Sequence, residues 1–254
     1  MMNREKLKKI WQAEERKSFS GWDFSYLDGR YAEVPPNWDY RQKVLDFLKK
    51  DTKLLDMGTG GGEFLLSLRH PYALTSVTEG WKPNYELCMK KLSPLGITVA
   101  FADGEDKLPF ENESFDLVIN RHESYDIGEV RRVLKPNGFF ITQQVGGKNN
   151  FTLSKRLLPE YKSQMPDFNL ENEVPKWKNN GFRVMYKNQS YQKAVFEDVG
   201  AICYYAKILP WEFPDFSVEN CFEELISLQA NLDTGKKIET ESHRFIIIAK
   251  KIGK

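Results

Sequence analysis

From Lys53 onward, short apolar runs alternate with segments of helical periodicity, and no other feature of the chain narrows its fold as much. The runs are Lys53–Met57, Leu74–Thr78, Ile97–Ala102, Phe115–Asn120 and Gly138–Gln143. Between them Glu63–Leu68, Pro83–Leu92 and Asp126–Leu134 read as crossover helices; in the last, Ile127, Val130 and Leu134 share one face. Strands separated by helices run parallel, with the helices covering both faces of the sheet. Two later runs, Phe182–Tyr186 and Phe245–Ala249, extend the count to seven strands. The expectation is an α/β fold around a mostly parallel seven-stranded sheet.

Upstream, Asp39–Lys50 places Val44, Leu45 and Leu48 at helical spacing. The stretch Phe19–Tyr40 holds seven irregularly spaced aromatics among Gly and Pro, which suggests a cap with its own aromatic core rather than a strand. Downstream, Asp198–Leu232 reads as largely helical, broken at Trp211-Glu212-Phe213-Pro214. One domain, 1–254, is therefore expected: a cap at 1–40, a core at 41–146, and a covering, sheet-completing part at 147–254.

The most informative local string is Leu54-Leu55-Asp56-Met57-Gly58-Thr59-Gly60-Gly61-Gly62-Glu63. A buried strand runs into a glycine turn and then a helix, at the carboxyl edge where nucleotide-like ligands bind in a Rossmann-like sheet. The dinucleotide pattern G-x-G-x-x-G fails, because Glu63 stands where the third glycine belongs. No Gly-Lys-Ser/Thr follows, so P-loop chemistry is excluded. The pattern acid-x-G-x-G-x-G is met in full by Asp56, Gly58, Gly60 and Gly62. Glu79 ends the second run 21 positions after Gly58 (79 − 58), where a carboxylate can grip a ribose diol. An ordinary loop acid is the plainer alternative for Glu79.

The acid-glycine loop resembles the first motif of class I S-adenosylmethionine-dependent methyltransferases. Three further strings extend the likeness to the methyltransferase type 11 family: Leu108-Pro109-Phe110, Ser114-Phe115-Asp116-Leu117-Val118, and Leu134-Lys135-Pro136-Asn137-Gly138. The resemblance covers roughly 44–146. It implies S-adenosylmethionine as cofactor, with Glu79 on the ribose and an acid after the third run on the adenine amino group. That family position holds Gly104 here, so Asp103, one residue earlier, is the candidate; Glu105 and Asp106 are substitutes or solvated acids. Asn120 is expected to touch the cofactor through side chain or backbone. The strings 120–125 and 142–147 are also similar to a bacterial subgroup of this family.

By the same resemblance, the end of the fourth run faces the transferable methyl group. It reads Asn120-Arg121-His122-Glu123. His122, with an unperturbed pKa of about 6.5, is a candidate general base. Glu123 is a candidate to orient it or to bind a cationic acceptor. Both could instead hold the cap or the cofactor's amino-acid tail. Gln143 and Gln144 are candidate substrate or loop-fixing amides, and Arg41 and Arg121 candidate partners for the cofactor carboxylate or for surface acids.

Charge narrows the partners. Lys+Arg number 37 against 36 Asp+Glu, too even for a protein held to nucleic acid by phosphate contacts alone, though Met1–Ile10 is locally basic. A small-molecule acceptor is expected; RNA is the disfavoured alternative, and a cofactor-binding protein without transfer activity is a third reading. No Asp/Asn-Pro-Pro-Tyr/Phe string or nearby cysteine supports DNA base methylation. Cys88, Cys203 and Cys221 fit neither a disulfide framework nor a zinc site, so no metal and a reducing cytoplasm are expected. No apolar run is long enough to span a membrane, and no signal peptide is visible. The acceptor and the oligomeric state are left open.

Overall fold

The computed structural model describes residues 3–104 and 107–253. The strands are β1 (Tyr31–Glu33), β2 (Leu54–Met57), β3 (Thr75–Glu79), β4 (Thr98–Phe101), β5 (Phe115–Arg121), β6 (Leu134–Val145), β7 (Phe182–Phe196) and β8 (Ile238–Lys251). The helices are α1 (Arg4–Glu15), α2 (Tyr40–Leu45), α3 (Glu63–Ser67), α4 (Lys82–Lys91), α5 (Ile127–Val133), α6 (Phe151–Leu157), α7 (Leu170–Asn179), α8 (Val199–Ile208) and α9 (Phe222–Asp233). One sheet takes the order β1-β7-β8-β6-β5-β2-β3-β4. Strands β6, β5, β2, β3 and β4 are mutually parallel, and the β6–β8, β8–β7 and β7–β1 pairings are antiparallel.

The sheet has eight strands, not the expected seven. The extra one is β1, inside the stretch read as pure cap: Tyr31, Ala32 and Glu33 pair with Phe196, Val195 and Ala194 at the edge of β7. A three-residue edge strand carries no alternation long enough to register in sequence. β6 also begins earlier than expected. Its Lys135-Pro136-Asn137-Gly138 turn forms a bulge within the strand, between the Phe115–Leu134 and Leu117–Phe139 pairs, with Asn137 in the left-handed region.

Alternation sorts the strand residues between two cores. Leu54, Leu117, Ile119, Ile141, Ile246 and Ile248 pack under α2, α3 and α4 through Val44, Leu65 and Cys88. Leu55, Val118, Phe140, Phe245 and Ile247 pack on the other face against α5 and α7, where Trp177 stacks on Phe140 at 4.8 Å. A third core lies beyond the sheet and joins the cap to the later helices: Leu7, Trp11 and Leu27 meet Ile202, Tyr205, Phe213 and Leu225. The aromatics Phe19 and Phe24 pack 5.1 Å apart against the same cluster.

The chain leaves β2 for β3 and β4 on one side, then crosses back to β5 on the other. The boundary between β2 and β5 is therefore the switch point of the sheet, the crevice where ligands bind in such folds.

Candidate cofactor and acceptor site

At the end of β2 the chain enters a turn in which Gly58, Gly60 and Gly62 all have left-handed φ, of 66°, 62° and 79°. That conformation is nearly free only for glycine, which accounts for the alternate spacing. Gly58 and Thr59 donate their N–H groups to the Thr78 carbonyl at 3.1 and 3.2 Å, fastening the turn to β3. Glu79, at the end of β3, is buried and accepts from the N–H of Gly60 at 2.8 Å and of Trp81 at 3.1 Å. Burial raises its pKa, against the two backbone donors that lower it. Asp56 is buried beneath the turn, holds the Thr59 hydroxyl at 2.7 Å, and is pushed by burial up to about 7. The cap reaches over the turn: Gly21 donates to Asn84 at 3.1 Å, and Trp22 lies beside Gly60.

The loop after β4 explains the shifted acid. A Cβ on Gly104 would fall 1.8 Å from the Ser124 carbonyl oxygen, so no side chain can stand at that position. Asp103 carries the carboxylate instead, beside Gly80, with the Ser124 hydroxyl 3.3 Å away. Glu105 and Asp106 lie outside the described residues. Leu108 and Phe110 of the following turn are tied to α5: Arg132 donates to both carbonyls at 2.8 and 2.7 Å, and Glu129 accepts the Leu108 N–H. Trp81 went unnoticed in sequence; it opens α4 directly after Glu79-Gly80 and exposes 42% of its surface.

At the end of β5, Asn120 is fully buried. Its amide oxygen accepts from Thr142 at 2.9 Å and Gln144 at 2.6 Å, and its carbonyl accepts the Tyr40 hydroxyl at 2.9 Å. Gln144 also donates to the Glu123 carbonyl at 2.9 Å. Asn120 and Gln144 thus fix the loop that carries His122 and Glu123. His122 adopts a left-handed φ of 65°, rare outside glycine and costly enough to need support. Its N–H bonds the Gln143 carbonyl at 2.9 Å, which turns the next residue back over β2. The Glu123 side chain then lies directly on Gly58. Burial, then Glu79 and Asp103, push Glu123 up to about 7.

The protonation of His122 follows from its neighbours. Trp38 donates its indole N–H to Gln143 Oε1 at 2.8 Å, so the Gln143 amide nitrogen faces His122 Nε2 at 3.2 Å. Nε2 is then the acceptor and carries the lone pair. Burial, Arg244 and Arg121 hold the imidazole well below its ordinary value. The ring still meets solvent in the cleft, so this lowering is felt in full only when ligands fill the space. Arg121 lies over Phe64 at 4.7 Å and acts on Asp56 from there, whereas Arg41 reaches the Ser67 carbonyl on the surface. Beside Gln143, Pro35, Pro36, Trp38 and Tyr40 line an open groove of about 530 Å³.

The glycine turn, Glu79 and Asn120 all fall within the stretch of this chain that is similar to known methyltransferases. Residues 55–142 match the family described as a methyltransferase domain. Over 88 residues the chain is 34% identical to the phthiotriol/phenolphthiotriol dimycocerosates methyltransferase of Mycobacterium tuberculosis, and over 86 residues 36% identical to that of Mycobacterium leprae. Each match covers about a third of this chain and about a third of the relative, 32% of each for the first and 31% for the second. Among solved structures, the YcgJ protein of Bacillus subtilis aligns with TM-score 0.55 and 16% identity over 85% of this chain and 99% of its own. The [4+2]-cyclase SpnF aligns with TM-score 0.54 and 16% identity over 88% and 87%. These likenesses concern the fold. Among the described residues no group of His, Cys, Asp or Glu could hold a metal ion, and no helix is long and apolar enough to cross a membrane.

Proposed function

We propose that the protein transfers a methyl group from S-adenosylmethionine to a small-molecule acceptor. The observation that carries this reading is the Glu79–Gly60 bond, which holds a turn of bare, left-handed glycines open at the switch point within the matched segment. A side chain at Gly58 would collide with Glu123, so this cradle presents backbone to whatever enters it. In this reading Asp56, Gly58, Gly60 and Gly62 form the cradle, Glu79 takes the ribose, Asp103 the adenine amino group, and Trp81 offers a ring face to the base. Asn120 acts by holding the loop. The bound cofactor supplies a methyl group already activated by positive sulfur, so the protein's main task is alignment.

On the acceptor side, His122 Nε2 offers a lone pair to an X–H group of the acceptor. A histidine held neutral is a weak base, suited to an acceptor whose proton is already acidic. The groove beside Trp38 and Gln143 has room for a small molecule. The acceptor named for the mycobacterial relatives, phthiotriol/phenolphthiotriol dimycocerosates, does not carry over, because the match covers only about a third of either chain. RNA is less favoured still. The basic helix α1 spends Arg4 on Glu223 and Lys8 on Glu219, and both cations lie 5.2 Å from the Phe222 ring. We assign 41–146 to the cofactor and 1–40 with 147–254 to covering the acceptor. Three buried free thiols suit the cytoplasm.

Isothermal calorimetry with S-adenosylmethionine and with NAD tests the cofactor; saturable binding of NAD alone overturns the reading. Labelled cofactor incubated with fractionated extract then tests transfer. Because a cyclase shares this fold, cofactor binding without label in any fraction points to the non-transferring alternative.

A further inference from the structure

We propose that Glu123 selects the charge of the cofactor: its carboxylate favours the cationic sulfonium form over the neutral demethylated product. This deepens the reading above and rests on the cradle holding S-adenosylmethionine.

The placement is set by backbone. His122 in the left-handed region reverses the chain, and Gln144 pins the Glu123 carbonyl. The side chain then lies on Gly58 so closely that a Cβ there would be 2.5 Å from Glu123 Cβ and 2.7 Å from its Oε2. It also passes Gly104, whose Cβ would come within 3.3 Å of Glu123 Cγ. The bare backbone of Gly58 therefore clears space for this one carboxylate, and a ligand in the cradle must share that space with it.

The order of the strands says which part of the cofactor meets it. The ribose belongs to Glu79 on β3. On the β4 side of Glu79, in the loop after β4 and against Gly80, stands Asp103, an acceptor suited to the amino group of a planar base. The sulfur end then points to the β2–β5 side, where Glu123 is. The surroundings are negative: Glu79 faces Glu123 from β3 and Asp103 from the β4 loop, and both push its pKa up. Asp56 lies below on β2. Of the nearby cations, Arg121 is drawn onto Phe64, and His122 is held neutral. Among the described residues no lysine or arginine forms an ion pair with Glu123. A cation in the cradle would supply the missing counter-charge; a neutral thioether would not.

A pH consequence follows. Glu123 is pushed up to about 7, so near neutrality part of the population is protonated. A sulfonium beside it lowers that value, and binding of the cation releases a proton where binding of the product releases none.

The test is calorimetry with three probes: S-adenosylmethionine, S-adenosylhomocysteine, and sinefungin, which carries an ammonium in place of the sulfonium. Glu123→Gln keeps the size of the side chain and removes its charge; Glu123→Ala removes both. The expected result is that Glu123→Gln weakens both cationic probes roughly tenfold and moves the neutral one less than about twofold, as loss of one close charge interaction predicts. Wild-type titrations at pH 7 in buffers of different ionisation enthalpy should show proton release with the cations only. Equal shifts for all three probes, or none, overturn the proposal. So does a Glu123→Ala protein that binds all three equally more tightly, which marks a steric plug. If the wild-type chain binds none of them, the cradle reading itself falls and takes this inference with it.

Discussion

Trp38 and His122 lie on opposite sides of a single amide, that of Gln143, and the indole N–H of the one determines which nitrogen of the other carries a proton. Because indole can only donate, Gln143 must present its NH₂ to His122, and a protonated imidazole would face it with N–H against N–H. The His122 midpoint should therefore lie below the ordinary imidazole value. Gln143→Glu replaces the donor with a carboxylate and should bring the midpoint to about 6.5 or above, since a negative neighbour stabilises imidazolium. Histidine ring NMR reads both; a wild-type midpoint near 6.5 contradicts the arrangement.

Glu79 holds the cradle and, in the proposed reading, the ribose. Glu79→Ala should weaken S-adenosylmethionine about 10- to 150-fold, the loss of roughly 1.5–3 kcal/mol of hydrogen bonds to a charged group. Calorimetry gives the constant, and circular dichroism establishes that the fold survives. An unchanged constant removes Glu79 from the ribose site.

Asp56 makes stability depend on pH. An acid whose folded pKa is raised favours folding while protonated; that contribution is complete below about 4 and lost as pH rises through about 7. Three units at about 1.4 kcal/mol each put the loss at up to about 4 kcal/mol. Asp56→Asn keeps an oxygen for the Thr59 hydroxyl without the charge. Relative to the variant, the wild-type melting temperature should fall between pH 4 and 7 and level off above about 8. Glu123 titrates in the same window in both proteins, so only their difference reports Asp56. Parallel curves would refute it.

His122→Asn tests the base. Once an acceptor is found, turnover should fall roughly 10²-fold with cofactor affinity little changed. The wild-type rate should already be level between pH 6 and 7, because the imidazole is held well below its usual value. Turnover equal to wild type at saturating cofactor excludes the role.

The five parallel strands and their crossover helices were legible because each strand core is a run of apolar residues and each helix shows a clear face. The glycine cradle was legible because left-handed backbone demands glycine at alternate positions. What escaped was set by contacts between distant segments. β1 forms only because β7 offers it an edge, and Trp81 reads as any surface aromatic until the fold sets Gly80, its neighbour in the chain, against Asp103. The hydrogen bonds of Asn120 depend on Thr142 and Gln144, one strand away, and no local pattern signals them. The one-residue shift from Gly104 to Asp103 was visible in sequence; its cause, the Ser124 carbonyl, was not.

The cap core brings Leu7 within one cluster of Leu225, 218 positions apart (225 − 7), whereas the glycine turn is closed by residues drawn mostly from 54–124. Closing a long loop costs entropy before any contact repays it, and chains emerge from synthesis with the amino end first. The parallel strands that carry the glycine turn can thus begin to assemble while α1 still has no partner. A cluster that joins α1 to α8 and α9 closes only when those helices arrive, and the sheet cores wait in turn for Phe245–Ala249 of β8.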